Sequence, residues 1–133
     1  MKTPTLRAIL AVLAAGLWIN ASEFFRNEVL VKHLWTAHFQ ALALPFPDAP
    51  ANGMAWMAWG FLAAGAVFWL SRRFGLIQAA LLAWLLAFVL MWIVIWNLGV
   101  LPAGLLVFAA PLSLLEMLLA AWMCRTIAPC ATG

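Results

Sequence analysis

Residues 74–97 read FGLIQAALLAWLLAFVLMWIVIWN, and Gln78 and the closing Asn97 are the only hydrophilic side chains among them. A helix rises about 1.5 Å per residue, so about 20 residues cross a hydrocarbon core about 30 Å thick. A run of this length with no water-facing side reads as a transmembrane helix, not as a surface helix with one apolar stripe. Working outward, three more runs have the same character. Residues 101–124 carry only Ser113 and Glu116 as polar interruptions, and residues 53–71 carry no charge. Residues 6–25 are apolar without interruption from Ala8 to Ile19 and then carry Asn20, Ser22 and Glu23.

Composition agrees. The chain has 133 residues, 68% of them hydrophobic and 8% charged. A soluble domain averages about 25% charged residues, so this chain lacks the polar surface to face water on all sides. The seven basic residues are scattered over short segments, which excludes the basic patch a nucleic-acid partner requires. The expected fold is all-α: one polytopic domain of four transmembrane helices, with the lipid bilayer as its first partner.

The first run has a second reading. Lys2 and Arg7 ahead of an apolar stretch that ends in Ile19-Asn20-Ala21 also fit a signal peptide. A retained helix is preferred, because its removal would leave an odd three-helix remnant. Basic residues then set the orientation. Lys2, Arg7, Arg72, Arg73 and Arg125 fall on one side, Arg26 and Lys32 on the other. The positive-inside rule predicts both termini in the cytoplasm. Between the first two spans, Val31, Leu34, Trp35, His38, Phe39 and Leu42 recur at helical spacing. They predict an external amphipathic helix over about 27–44. Pro45, Pro47 and Pro50 end it, and Asn52 is the predicted cap of the second span.

Ionisable groups in hydrocarbon are costly and usually face the bundle interior. Glu116 lies about 13 Å along its helix from Arg125, near mid-depth. It reads either as a proton- or cation-binding carboxylate or as a protonated acid bonded to a neighbouring helix. Asn20, Glu23 and Asn27 share one face of the first helix, with Arg26 three residues after Glu23. With Asn97 at the same height they could line an outward-opening vestibule, or they could simply meet headgroups and water. Helix rise separates Glu23 from Glu116 by about 10 Å in depth, which predicts no direct contact between the two carboxylates.

Trp84, Phe88, Trp92 and Trp96 repeat every four residues. The repeat predicts either an aromatic wall for a flat lipophilic ligand or bundle packing and interfacial anchoring. Ala11 with Ala15 and Gly60 with Ala64 mark faces where helices, or two copies in a homodimer or larger membrane complex, can approach closely. His33 and His38 are five apart, off the i, i+4 spacing of helical metal pairs, so no metal site is expected. Cys124 and Cys130 indicate neither a disulfide framework nor a zinc site, and their place at the cytoplasmic end leaves palmitoylation as a reading on position alone. No catalytic motif and no cofactor motif is evident.

Three stretches carry a resemblance: EFFRNE at 23–28, FVLMWIVIWNLGVLP at 88–102 and PLSLLE at 111–116. They resemble an uncharacterised family of small bacterial four-helix integral membrane proteins. That resemblance implies a bacterial inner membrane and transfers no activity and no functional residue. The small multidrug transporters share the size and a glutamate in the first helix, but Glu23 lies near the helix end rather than its middle. Three functions follow in order: binding of a lipophilic ligand or membrane partner, proton- or cation-coupled transport through Glu116, and a lipid-modifying enzyme using Glu23, Arg26 and His33.

Overall fold

The computed structural model describes residues 3–129, and all of its regular structure is helical. Lys2 and Cys130 lie outside the described residues. Helix α1 (Pro4–Phe24) starts at Thr3, whose hydroxyl accepts from the Leu6 amide at 3.3 Å, with Pro4 in the first turn. It runs without a break into a π-helical turn, Phe25–Leu30. Helix α2 (Lys32–Ala41) follows after Val31. The second span is α3 (Pro50–Arg73). The third is built from α4 (Leu76–Trp84), a second π-helical turn (Leu85–Val89) and α5 (Leu90–Asn97). The fourth is α6 (Leu105–Ile127).

Among the described residues, four helical segments are long and apolar enough to cross a membrane: Pro4–Leu30, Pro50–Arg73, Leu76–Asn97 and Leu105–Ile127. They pack as an up-down-up-down bundle. α1 and α4 each lie against both α3 and α6, and α3 also meets α6. The chain is therefore an all-α polytopic membrane protein, with a short amphipathic helix between its first two spans. That helix is shorter than the pattern at 27–44 predicts. The π turn keeps residues 25–30 in the first span, and α2 begins only at Lys32.

One further expectation is corrected. Asn52 does not cap α3: Ala49 holds the cap position, and Pro50 starts the helix because it lacks the amide hydrogen that would go unbonded there. The connection after α5 turns on two glycines in the left-handed region, Gly99 at φ 75° and Gly104 at φ 80°. Gly104 starts α6.

The bundle is small inside and large outside. Ala11, Ala15, Ala64, Ala79, Ala80, Ala83, Ala120 and Ala121 are buried, while Leu17, Leu62, Trp69 and Val107 are exposed on its surface. In lipid there is no hydrophobic drive between apolar helices, so contact surfaces of small residues let backbones approach and gain dispersion energy. At α1–α3 the fit is reciprocal. The Phe61 ring fills the place where a Gly16 side chain would start, and Asn20 lies 2.5 Å from where a Cβ on Gly60 would sit. Asn20 also donates to the Gly16 carbonyl at 2.9 Å and the Met57 carbonyl at 3.4 Å.

At the end that carries the termini, arginines satisfy helix C-terminal carbonyls. Arg125 donates to the Ser71 and Phe74 carbonyls at 3.0 and 2.9 Å, and Arg72 donates to that of Ala128. At the opposite end, His38 Nε2 donates to the Gly99 carbonyl at 2.8 Å, tying α2 to the loop before α6.

Gly16→Ala and Gly60→Ala should each destabilise the bundle by about 1–3 kcal/mol through overpacking. Gly65→Ala, with open space at its Cβ, should leave stability unchanged or raise it by up to ~1 kcal/mol. Unfolding from micelles with a denaturing detergent measures all three. Equal losses at the three positions would contradict the α1–α3 fit.

Candidate functional site

The π turn at Phe25–Leu30 sets the polar interior. Val31 donates its amide to the Arg26 carbonyl at 3.0 Å, five residues back, so the extra residue in the turn brings Val31 to the buried face. Arg26 is 4% exposed and points into the bundle. Its guanidinium pairs with Glu23 on one side and, at 3.2 Å, with Glu116 Oε2 on the other. Glu116 Oε2 also accepts from the Ser22 hydroxyl at 2.5 Å. The Trp18 indole donates to the Glu116 backbone carbonyl at 3.0 Å.

The network continues away from mid-depth. Asn27 donates to Glu23 Oε2 at 3.0 Å and to the Glu23 backbone carbonyl at 3.0 Å. The Trp35 indole of α2 donates to Asn27 Oδ1 at 3.1 Å. A continuous chain of polar contacts therefore runs Glu116, Arg26, Glu23, Asn27, Trp35, from the middle of α6 to the surface helix.

Glu23 and Glu116, which helix rise sets about 10 Å apart in depth, share one guanidinium. Helical side chains lean toward the N-terminus of their own helix. Because α1 and α6 are antiparallel, Arg26 leans toward mid-depth and Glu116 leans toward the far end, and the gap in helix rise closes. Arg26 is thus not the external loop charge that its position in the sequence indicated.

The aromatic residues join the same interior. Arg26 lies over the Phe88 ring at 5.3 Å, within the range of a cation–π contact. Phe88 belongs to the second π turn, so the two irregular turns meet at this contact. Phe88 packs edge-on against Trp59 at 5.4 Å and tilted against Trp92 at 5.6 Å, and Trp84 stacks edge-on with Trp92 at 6.0 Å. The Trp84 indole donates to Ser113 Oγ at 2.9 Å. Trp84, Phe88 and Trp92 therefore pack between helices. Trp96 is 70% exposed and does not belong with them.

Of the other predicted residues, Asn20 turns to α3 and Asn97 is exposed at the end of α5, so neither joins the buried triad of Glu23, Arg26 and Glu116. His33 is exposed on α2. Cys124 is buried. Ser22 and Trp18 were missed. Their signal is present: Trp18, Ser22 and Arg26 repeat at four-residue spacing and form the α1 stripe that meets Glu116.

Beside the triad lies a cleft of about 280 Å³ between α1 and α6. Trp18, Ser22, Arg26 and Glu116 line its polar part, and Leu30, Leu112 and Leu115 line its apolar part. Phe25, Leu30 and Leu115 are exposed on the outer surface, so the cleft opens sideways toward lipid. A second cleft of about 220 Å³, between α3 and α4, is lined by Trp59, Leu62 and Met117 with other apolar residues and holds no charged group. Among the described residues no group of His, Cys, Asp and Glu side chains is placed to hold a metal ion. No protein-family model, curated protein or solved structure matches this chain.

Removing one member of a buried charge pair leaves an uncompensated charge and costs about 3–5 kcal/mol. Arg26→Leu should lose that much. Adding Glu116→Gln to Arg26→Leu should restore part of the loss, giving a non-additive double-mutant cycle. Additive losses would contradict the shared guanidinium.

Proposed function

We propose that this protein binds a lipophilic small molecule that enters sideways from the bilayer into the α1–α6 cleft. The observation that carries this reading is the pairing of an apolar, lipid-facing opening with a floor of buried Arg26 and Glu116 and half-buried Ser22. Ligand sites combine mostly apolar walls with a few convergent polar groups, and ionisable residues within membranes are concentrated at such sites.

The membrane in question is the bacterial inner membrane, with both termini cytoplasmic. Burial of Arg26 supports the orientation. It removes one of two basic residues from the external side and leaves Lys32, which pairs with Glu28 at 2.5 Å. Arg7, Arg72, Arg73 and Arg125 then stand against that one compensated lysine. Single cysteines at Arg73 and at Ala49 should label oppositely in intact cells, Ala49→Cys from outside and Arg73→Cys only after permeabilisation. The reverse pattern overturns the orientation.

A second reading, proton- or cation-coupled transport, draws support from the polar chain that links Glu116 to Trp35. Flux into proteoliposomes that Glu116→Gln abolishes would favour it.

The ligand reading is tested by native mass spectrometry after gentle extraction. Wild type should retain a lipophilic adduct, and Ala21→Trp, which places a bulky ring on the cleft wall, should lose it. An adduct retained equally by both, or absent from wild type, counts against the cleft.

A further inference from the structure

We infer that the α1–α6 cleft selects a cationic amphiphile, a single apolar chain ending in a primary ammonium, whose head replaces a proton beside Glu116. The inference rests on reading the cleft as a ligand site, and it names the chemistry of that ligand.

The charges in the site do not balance. Glu23, Arg26 and Glu116 bring two carboxylates to one guanidinium. Isolated net charge in a low-dielectric interior is strongly unfavourable, so the triad requires one further positive charge, either a proton or a cation. The hydrogen bonds leave the same vacancy. Glu116 is 1% exposed, Oε2 takes both the Ser22 and Arg26 bonds, and Oε1 has no partner. Glu116 also lines the cleft. Oε1 is itself buried, so an ammonium reaches it by parting the side chains that line the cleft; there it donates to Oε1 and supplies the missing charge in one contact.

Other charged groups do not alter the sum. On α1 the facing charges are Glu23 and Arg26, and on α6 Glu116 alone. The residues of the third span that pack here, Trp84, Phe88 and Trp92, are uncharged. No charged side chain of α3 faces the site, because Arg72 and Arg73 lie at its far end. Arg125 is about 13 Å further along α6 and bonded to the Ser71 and Phe74 carbonyls. Lys32 is held by Glu28 outside the bundle.

The competing head groups fit less well. An anionic head would meet Glu116 and find the guanidinium already occupied by two carboxylates. A neutral alcohol satisfies Oε1 but leaves the charge excess in place. The volume, about 280 Å³, holds about nine water-sized units, enough for a head and its first methylenes. The remainder of the chain passes the exposed Phe25, Leu30 and Leu115 into lipid.

Titration of purified protein in neutral detergent with dodecylamine, dodecanol and dodecanoate, read by native mass spectrometry, tests this. Dodecylamine should bind one per chain, weaken as pH falls, and weaken about tenfold or more in Glu116→Gln. It should weaken likewise in Glu23→Gln, although Glu23 does not line the cleft, because either change removes the excess charge. Dodecanol should bind more weakly and without pH dependence. The acidification arm uses wild type alone, so a variant that misfolds leaves the test intact. Dodecylamine binding that is indifferent to pH and to Glu116→Gln overturns the inference. Dodecanol binding as tightly as dodecylamine, and lost in Ala21→Trp, also overturns it while keeping the cleft as a ligand site. Binding of none of the three overturns both.

Discussion

A guanidinium among lipid-crossing helices is tolerated only where carboxylates and hydrogen-bond acceptors replace its water, and the half of this bundle away from the termini is arranged around that requirement. Arg26 reaches Glu23 on its own helix and Glu116 on the antiparallel neighbour, and its guanidinium carbon lies over the Phe88 ring. Each partner is then held by another group: Glu116 by Ser22, Glu23 by Asn27, Phe88 by Trp59 and Trp92. Two departures from regular helix serve the same contact, since one π turn carries Arg26 and the other carries Phe88. Such turns concentrate at functional sites, because re-aiming a side chain costs backbone regularity.

The other half of the bundle is organised differently. There the helices are joined by alanine faces, and arginines tie off helix ends. The contrast separates two tasks. Small-residue packing provides a rigid scaffold, and the polar triad opens one seam, between α1 and α6, where packing gives way to a cleft facing lipid.

The fold was legible because its governing constraint is one-dimensional. Backbone groups in hydrocarbon must be satisfied within the helix, so length and apolarity of residues 74–97 and their three companions suffice. The small faces of Ala11, Ala15, Gly60 and Ala64 were legible for a related reason, since close approach excludes larger side chains. Glu116 and Glu23 could be singled out as ionisable groups within spans. Their connection could not, because depth counted along helix axes omits the opposed lean of side chains on antiparallel helices. That lean places Arg26 inside, whereas its position in the chain placed it at an external loop. The π turns were likewise invisible, as nothing in FRNEVL (25–30) or LLAFV (85–89) departs from ordinary helical composition. Trp96 continues the four-residue repeat of the aromatic residues but faces outward, because the repeat drifts off the buried face after the second π turn.

The central claim is that one guanidinium binds two carboxylates from different helices. Among the described residues Arg26 is the only arginine paired with a carboxylate. Solid-state NMR of the protein in bilayers, with nitrogen-15 arginine side chains and carbon-13 glutamate carboxyls, therefore reads the triad directly. The account predicts two nitrogen–carbon dipolar couplings, one lost in Glu116→Gln and the other in Glu23→Gln. A single coupling that disappears in Glu23→Gln and is indifferent to Glu116→Gln would contradict it.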